Sequence, residues 1–128
     1  MSRIVLDASA VLAILNEESG AEKLTPRLLS GATISNVNLA EVQGKLVRRG
    51  LDPDDAWDAA FGLVREPEAF TREQARIAGD LVAQTSPLGL SLGDRACLAL
   101  GIALGVPVYT ADRSWKALRL GIPIHNIR

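Results

Sequence analysis

The chain is poor in the residue types on which several common classes of protein site depend. Its 128 residues include one cysteine, one histidine and only 4% aromatic residues. A single cysteine excludes an internal disulfide, so we expect a reducing, cytoplasmic location. One cysteine and one histidine cannot complete a thiolate or imidazole zinc site. Neither a GxGxxG nor a GxxxxGK[ST] pattern occurs, and the sequence therefore gives no support for a nucleotide cofactor.

Long apolar runs and an excess of one charge are also missing. No apolar stretch reaches the ~20 residues needed to cross a bilayer, so we expect no membrane span. The formal net charge is −1, which argues against a protein that coats nucleic acid without regard to sequence. Contact with nucleic acid stays open, because basic residues stand at Lys45, Arg48, Arg49, Arg95, Arg113 and Lys116.

The pattern of apolar residues predicts one α/β domain over residues 1–128. Apolar residues make up 48% of the chain, enough for a core, and short β-branched segments alternate with helix-favouring ones. We predict strands over 3–6, 32–35, 107–110 and 122–124. We predict helices over 8–15, 22–29 with a break at Pro26, 39–49, 52–64, 71–85, 91–104 and 113–118. The helix over 91–104 is the most apolar and is expected against the sheet.

Four acidic residues stand where an apolar or turn segment gives way to a predicted helix: Asp7, Glu41, Asp94 and Asp112. Strand-to-helix junctions of an α/β sheet share one edge, so we expect the four carboxylates in one pocket. Two like charges ~4 Å apart repel by about 4 kcal/mol at an effective dielectric near 20. A divalent cation relieves this repulsion, and an all-oxygen site suits Mg²⁺ or Mn²⁺. Carboxylate-held metal in turn favours phosphoryl chemistry.

Helix capping is the alternative explanation of each acid. Asn38 with Glu41, and Ser91 with Asp94, resemble capping boxes, and the other two acids could be plain N-caps. Capping explains any one of them. It does not explain why four helix starts each carry an acid, because Ser, Thr and Asn cap equally well.

Four segments together resemble the PIN-domain ribonucleases, and among them the small bacterial VapC-type toxins of toxin-antitoxin pairs. These segments are 6–10 (LDASA), 38–42 (NLAEV), 92–100 (LGDRACLAL) and 110–115 (TADRSW). The resemblance spans nearly the whole chain. It implies a three-layer α/β/α fold with a short, mostly parallel central sheet. It also implies RNA cleavage dependent on Mg²⁺ or Mn²⁺, a homodimer, and inhibition by a cognate antitoxin.

Carried over by position, the resemblance gives roles to six of these residues. The metal-binding, catalytic acids would be Asp7, Glu41, Asp94 and Asp112. Ser9 and Thr110 resemble the hydroxyls that orient such acids or bound water, although plain helix-start and strand-end residues explain them equally well. Apart from the resemblance, Arg95 and Arg113 are candidates for contact with phosphate, because they stand beside Asp94 and Asp112.

These observations lead to the hypothesis of an endoribonuclease that hydrolyses RNA by a metal-activated water. One rival is a receiver-like or phosphatase-like domain, phosphorylated on Asp7. It is disfavoured because Leu6, Ala8 and Ser9 stand where a paired acid is expected. The other rival is a non-catalytic module that binds RNA or a protein partner. Cys97 and Trp115 are interpreted as core residues.

Overall fold

Four short strands form one parallel sheet in the computed structural model, which describes residues 2–128. The strands are β1 (Ile4–Leu6), β2 (Ala32–Thr33), β3 (Val108–Thr110) and β4 (Ile124–Asn126). Their order is β2-β1-β3-β4, and Val5 of β1 pairs with both Thr33 and Val108. Because every pairing is parallel, the carboxyl ends of all four strands lie at one edge of the sheet.

Seven α-helices and three short 3₁₀ helices connect the strands within residues 2–128. The α-helices are α1 (Ala8–Leu15), α2 (Pro26–Leu29), α3 (Asn36–Arg48), α4 (Pro53–Phe61), α5 (Arg72–Asp80), α6 (Val82–Thr85) and α7 (Leu92–Leu104). The 3₁₀ helices are Ala21–Lys23, Ser86–Leu88 and Arg113–Ala117. In this part of the chain no helix combines the length and apolar composition required to cross a membrane.

Helices cover both faces of the sheet, as the alternation of side chains in β1 makes plain. Ile4 and Leu6 belong to an apolar cluster with α1, α3 and α4, whereas Val5 belongs to a second cluster with α7. Successive strand residues point to opposite faces, so the two clusters lie on opposite sides of the sheet. The predicted three-layer α/β/α fold with a parallel central sheet is confirmed.

Helix α7 packs directly on the sheet, as its apolar composition predicts. Cys97, Leu98 and Leu100 are fully buried in it. Gly101 allows the closest approach, because a Cβ atom there would lie 2.4 Å from a methyl carbon of Val108 on β3. Glycine at this position therefore lets α7 lie close to β3.

Several predicted boundaries move in the structure. Helix α3 begins three residues earlier than predicted, because the Ser35 hydroxyl accepts a hydrogen bond from Val37 N–H at 3.2 Å and caps it. The long helix predicted over 71–85 is divided at Leu81 into α5 and α6. Strand β4 lies two residues later than predicted, but it does occupy a sheet edge as expected.

Candidate active site

Asp7 follows β1 directly and is almost completely buried, with 3% of its surface exposed. Its Oδ1 accepts hydrogen bonds from Ser9 Oγ at 2.7 Å and from Ala10 N–H at 2.9 Å. Its Oδ2 accepts one from Thr110 Oγ1 at 2.9 Å. Asp7 is thus the N-cap of α1, as the capping interpretation predicted, but its second oxygen is held by a strand 103 residues away.

Two hydroxyls join the ends of β1 and β3 around this carboxylate. Ser9 Oγ accepts the backbone N–H of Ala111 at 2.9 Å, and Thr110 Oγ1 accepts that of Asp112 at 3.0 Å. Since each oxygen already accepts one N–H, its own proton is available for Asp7. The predicted orienting role of Ser9 and Thr110 agrees with this geometry.

Asp112 stands just beyond β3 and caps the 3₁₀ helix that follows. Its Oδ1 accepts the backbone N–H of Ser114 at 2.9 Å and the Ser114 hydroxyl at 2.7 Å. Its backbone carbonyl accepts Asn126 Nδ2 at 2.7 Å, which ties it to β4. We refer to Asp7, Ser9, Thr110 and Asp112 together as the strand half of the site.

Glu41 reaches the same region from the second turn of α3, and not from a helix start. Asn38 Nδ2 donates to Glu41 Oε1 at 2.8 Å and to the carbonyl oxygen of Gly93 at 2.9 Å. The capping box predicted for Asn38 and Glu41 is therefore wrong, because Ser35 is the cap. A Cβ atom on Gly93 would lie 2.2 Å from Glu41 Oε2, so the Glu41 carboxylate occupies space that only glycine leaves free.

Asp94 lies in the first turn of α7, where it forms the capping box predicted for it. Its Oδ2 accepts Ser91 N–H at 2.9 Å, and Ser91 Oγ accepts Asp94 N–H at 3.2 Å. The element before α7 is the 3₁₀ helix Ser86–Leu88 and not a strand. Asp94 therefore reaches this region through the packing of α7. We refer to Asn38, Glu41, Gly93 and Asp94 together as the helix half of the site.

The pKa values of two buried groups, Asp7 and Cys97, depend on charges from the helix half of the site. The pKa of Asp7 is raised to about 6. Burial is the largest cause and outweighs the hydrogen bonds that lower this pKa, and the charge of Asp94 contributes to the rise. Burial also raises the pKa of the Cys97 thiol, and the charges of Asp7, Asp94 and Glu41 add to that effect. The charges of three of the predicted acids thus act on one buried residue of α7. Cys97 is fully buried, so its interpretation as a core residue is confirmed.

The donor set fits a hard divalent cation, although the acids do not form a closed site as they stand. Within residues 2–128 no three His, Cys, Asp or Glu side chains are grouped so as to hold a metal ion. Each carboxylate is instead held by its own hydrogen-bond donors. In each of Glu41, Asp94 and Asp112, one carboxylate oxygen accepts no hydrogen bond from the described residues. Buried Asn38 Oδ1 also has no hydrogen-bond partner among these residues. Free oxygens of this kind suit Mg²⁺ or Mn²⁺.

The two predicted phosphate-binding arginines lie in different places. The Arg95 guanidinium donates to the carbonyl of Ala78 at 3.0 Å and lines a cleft beside α6, so it ties α7 to α5. Arg113 is exposed and lines a cleft together with Ser9 and Asp112. The structure thus brings Arg113 to the strand half, but it gives Arg95 a structural contact elsewhere.

Sequence reasoning missed two residues of the helix half. Asn38 is 1% exposed and positions Glu41, and Gly93 provides the space that Glu41 occupies. Asn38 precedes Glu41 by three positions, which places both on one face of a helix, so its role was visible as a spacing once α3 was known to start earlier. The role of Gly93 depends on the distance between α3 and α7, and the sequence carries no signal for it.

Comparison with protein families gives one match. A model of the PIN domain matches residues 4–120. No curated protein matches the chain in sequence.

Comparison with solved structures gives many matches of low sequence identity. The chain aligns over 100% of both chains with DNA-bound VapBC of Salmonella typhimurium, at 19% identity and a TM-score of 0.76. It aligns with VapC20 of Mycobacterium tuberculosis, a toxin that cleaves the sarcin-ricin loop, over 94% of this chain and 98% of that one, at 22% identity and a TM-score of 0.71. FitAcB of Neisseria gonorrhoeae aligns over 97% of both chains, at 16% identity and a TM-score of 0.74. At these identities the likeness shows a shared fold.

Proposed function

Because this chain belongs to the PIN-domain family, we propose that it is a metal-dependent endoribonuclease and the toxin of a toxin-antitoxin pair. The observation that carries this proposal is the contact of the Glu41 side chain with Gly93 in the first turn of α7, next to Asp94, where the Asn38 amide joins Glu41 to the Gly93 carbonyl. This contact brings two acids that are far apart in the chain to the same turn, and the charge of Asp94 also acts on buried Asp7. The cleavage of the sarcin-ricin loop named for VapC20 supports RNA as the substrate class.

The acids would have different roles in binding the cation. Asp7 and Asp94 would bind one Mg²⁺ or Mn²⁺ ion directly, and Asp112 would bind a second ion or its water shell. Such an ion neutralises phosphate charge and lowers the pKa of bound water. Asp7 is held by three donors, so it needs no rearrangement to present its charge.

The proposed reaction is hydrolysis of a phosphodiester bond. The oxygen of a water molecule bonds to phosphorus, the bond from phosphorus to the 3′ oxygen breaks, and that oxygen takes up a proton. The products are a 5′-phosphate and a 3′-hydroxyl. Glu41 is half-buried with one oxygen free of hydrogen bonds from the described residues, so it would either bind the ion or accept the proton that the water loses.

A protein partner and self-association are further parts of the proposal. Two similar structures are named as a member of the VapBC family of toxin-antitoxin systems, from Mycobacterium tuberculosis, and as a toxin-antitoxin complex, from Klebsiella pneumoniae. We propose by likeness that this chain acts in the cytoplasm, that a cognate antitoxin inhibits it, and that it forms a homodimer.

The environment of Asp7 argues against the rival receiver-like function. Such a domain pairs the phosphorylated aspartate with a second acid close in sequence, and Leu6, Ala8 and Ser9 occupy those positions. The third possibility, a binding module without activity, is separated from the nuclease by the assay below.

The test is cleavage of RNA by the purified full-length chain. We expect cleavage with Mg²⁺ or Mn²⁺ and none with a chelator. Asp7→Asn and Asp94→Asn should each lower the rate by at least about a hundredfold while the circular dichroism spectrum is kept. Asp58→Asn is the matched control, because Asp58 is an exposed acid on α4. Cleavage by both site variants at the rate of the control would refute the proposal.

A further inference from the structure

A row of cations begins one turn beyond Glu41 on α3. Lys45 and Arg49 follow Glu41 at intervals of four residues, so all three lie on one face of the helix, about 6 Å apart along its axis. Both cations line an open cleft of about 610 Å³, which Ser9 and Asp112 of the strand half also line. The cleft therefore begins at Asp112 of the strand half and extends to the last turn of α3.

The charge of this cleft differs in sign from that of the whole chain. Its lining holds four cations, at Lys45, Arg49, Arg113 and Arg128, and two acids, at Glu18 and Asp112. The lining is thus net positive by two charges, whereas the whole chain carries −1. Arg128 is paired with Glu18.

The other three cations are not engaged. Among the described residues, the side chains of Lys45, Arg49 and Arg113 have no hydrogen-bond or ion-pair partner, and all three are exposed. Unpaired cations at regular spacing along a cleft suit a regular polyanion, because each can form a charge-assisted hydrogen bond to a phosphate without losing an existing partner.

We propose that this cleft binds the single-stranded RNA segment next to the bond that is cut, and that Lys45, Arg49 and Arg113 contact its phosphates. The inference rests on the proposed function and adds to it the path of the substrate. One row of cations along a single helix matches one backbone, whereas duplex RNA presents two backbones across its minor groove. An acidic protein segment is a weaker fit, because a chain of carboxylates gains nothing by ending at Asp112.

The test measures RNA binding separately from cleavage. The parent is the full-length chain with Asp7→Asn, which cannot cut in the proposed mechanism. The probes are fluorescent single-stranded oligouridylate and oligoadenylate of about eight nucleotides, titrated by anisotropy at several salt concentrations. Lys45→Gln and Arg49→Gln should each weaken binding of both probes by about threefold to tenfold. Each should also reduce the slope of log affinity against log salt by about 0.7, the value for one phosphate contact on a single strand.

Arg48→Gln is the matched control. Arg48 is an exposed neighbour on the same helix, but it does not line the cleft, so its loss should leave both the affinity and the slope unchanged. Equal behaviour of Arg48→Gln and Arg49→Gln would overturn the inference.

Two further probes separate the possible occupants. A self-complementary RNA duplex should bind more weakly than the single strands, and with no specific loss in the cleft variants. Polyglutamate should displace the oligonucleotide poorly. A duplex that bound equally well through the same residues, or polyglutamate that competed as well as RNA, would overturn the assignment. If the Asp7→Asn parent bound the probes as expected but the unsubstituted chain did not cleave RNA, the proposed nuclease activity would be refuted and the cleft assignment would stand.

Discussion

The two halves of the site are built in different ways. In the strand half, Asp7 is buried, and two donors from the first turn of α1 and one from the end of β3 hold it. In the helix half, Glu41 and Asp94 are half-buried, and Asn38 is the side chain that bonds Glu41. The strand half is therefore rigid before any ligand binds, whereas the helix half can adjust.

The two halves also differ in the electrostatic cost of burying their carboxylates. A buried carboxylate is desolvated, and this desolvation raises the pKa of Asp7 to about 6. Glu41 and Asp94 are less deeply buried and remain in contact with solvent. We therefore expect changes in the strand half to alter stability as well as activity, and changes to the position of the Glu41 or Asp94 carboxylate to act mainly on activity.

The largest effect on stability is expected from Asp7→Asn. The pKa of Asp7 is 3.8 in a model peptide and about 6 in the fold. Between these values the folded chain keeps a proton that the unfolded chain has released, so the free energy of unfolding falls as the pH rises from about 4 to about 6. The total loss is about 3 kcal/mol. An asparagine side chain cannot ionise, so the variant should exceed the parent in stability at about pH 7.5 by up to this amount.

The measurement is urea unfolding of both chains at about pH 4.5 and about pH 7.5 in the presence of chelator. The advantage of Asp7→Asn should be large at the higher pH and small at the lower one, where the Asp7 carboxyl of the folded parent is itself largely neutral. Asp58→Asn is again the control and should show no such difference. An advantage of Asp7→Asn that did not change with pH would contradict this account of Asp7.

The second effect concerns the helix half. Gly93→Ala places a Cβ atom 2.2 Å from Glu41 Oε2 and 2.5 Å from its Cδ. The end of a glutamate side chain can swing away, so the free energy of unfolding should change by less than about 1 kcal/mol. Cleavage should nevertheless fall by about a hundredfold, because a catalytic group displaced by about 1 Å loses its geometry. Rates and urea unfolding measured on the same preparations give both quantities.

Gly44→Ala is the matched control for that variant. Gly44 lies in the middle of α3, and a Cβ atom there would meet nothing within 4 Å. The substitution should leave cleavage unchanged and stabilise the helix by about 0.5 to 1 kcal/mol. If both alanine variants cleaved RNA at the same rate, the role assigned to Gly93 would be wrong.

The strand half is also the half that the sequence predicts well. Asp7 and Asp112 follow strands, and parallel strands bring such positions to one edge by topology alone. Ser9 and Thr110 flank those positions, so their nearness followed from the same rule. The predicted three-layer fold is correct for a related reason, because the apolar segments of β1, β3 and α7 have few alternatives to mutual burial.

The helix half depends on tertiary packing that sequence patterns do not encode. Glu41 was assigned to a helix start, but it lies in the second turn of α3 because Ser35 caps that helix. Asp94 follows a 3₁₀ helix and is brought into place by the packing of α7 on the sheet. Both acids stand at helix starts in the sequence-based prediction, and the resemblance adds their roles. The rule that strand-to-helix junctions share one sheet edge predicts their convergence, but it does not apply to them, since neither acid stands at such a junction.

The smallest of the expected losses of cleavage is that of Asn38→Ala, which tests whether one amide holds Glu41 in position. Asn38 Nδ2 bonds two acceptors, Glu41 Oε1 and the Gly93 carbonyl, and both lose a buried donor in the variant. The free energy of unfolding should fall by about 1 to 3 kcal/mol. The kcat for cleavage should fall by about tenfold with KM unchanged, because Asn38 contacts Glu41 and is buried away from the cleft that would bind RNA.

The control for Asn38→Ala is Asn36→Ala, at an exposed position in the first turn of the same helix. It should change neither stability nor kcat by a measurable amount. A rise in KM with kcat unchanged would mean that Asn38 acts on substrate binding, and the positioning role would then be wrong. A loss of stability without any loss of kcat would mean that Glu41 keeps its place without the amide. In that case the Glu41 carboxylate would be set by the packing of α3 on α7 alone, and the helix half would be as rigid as the strand half.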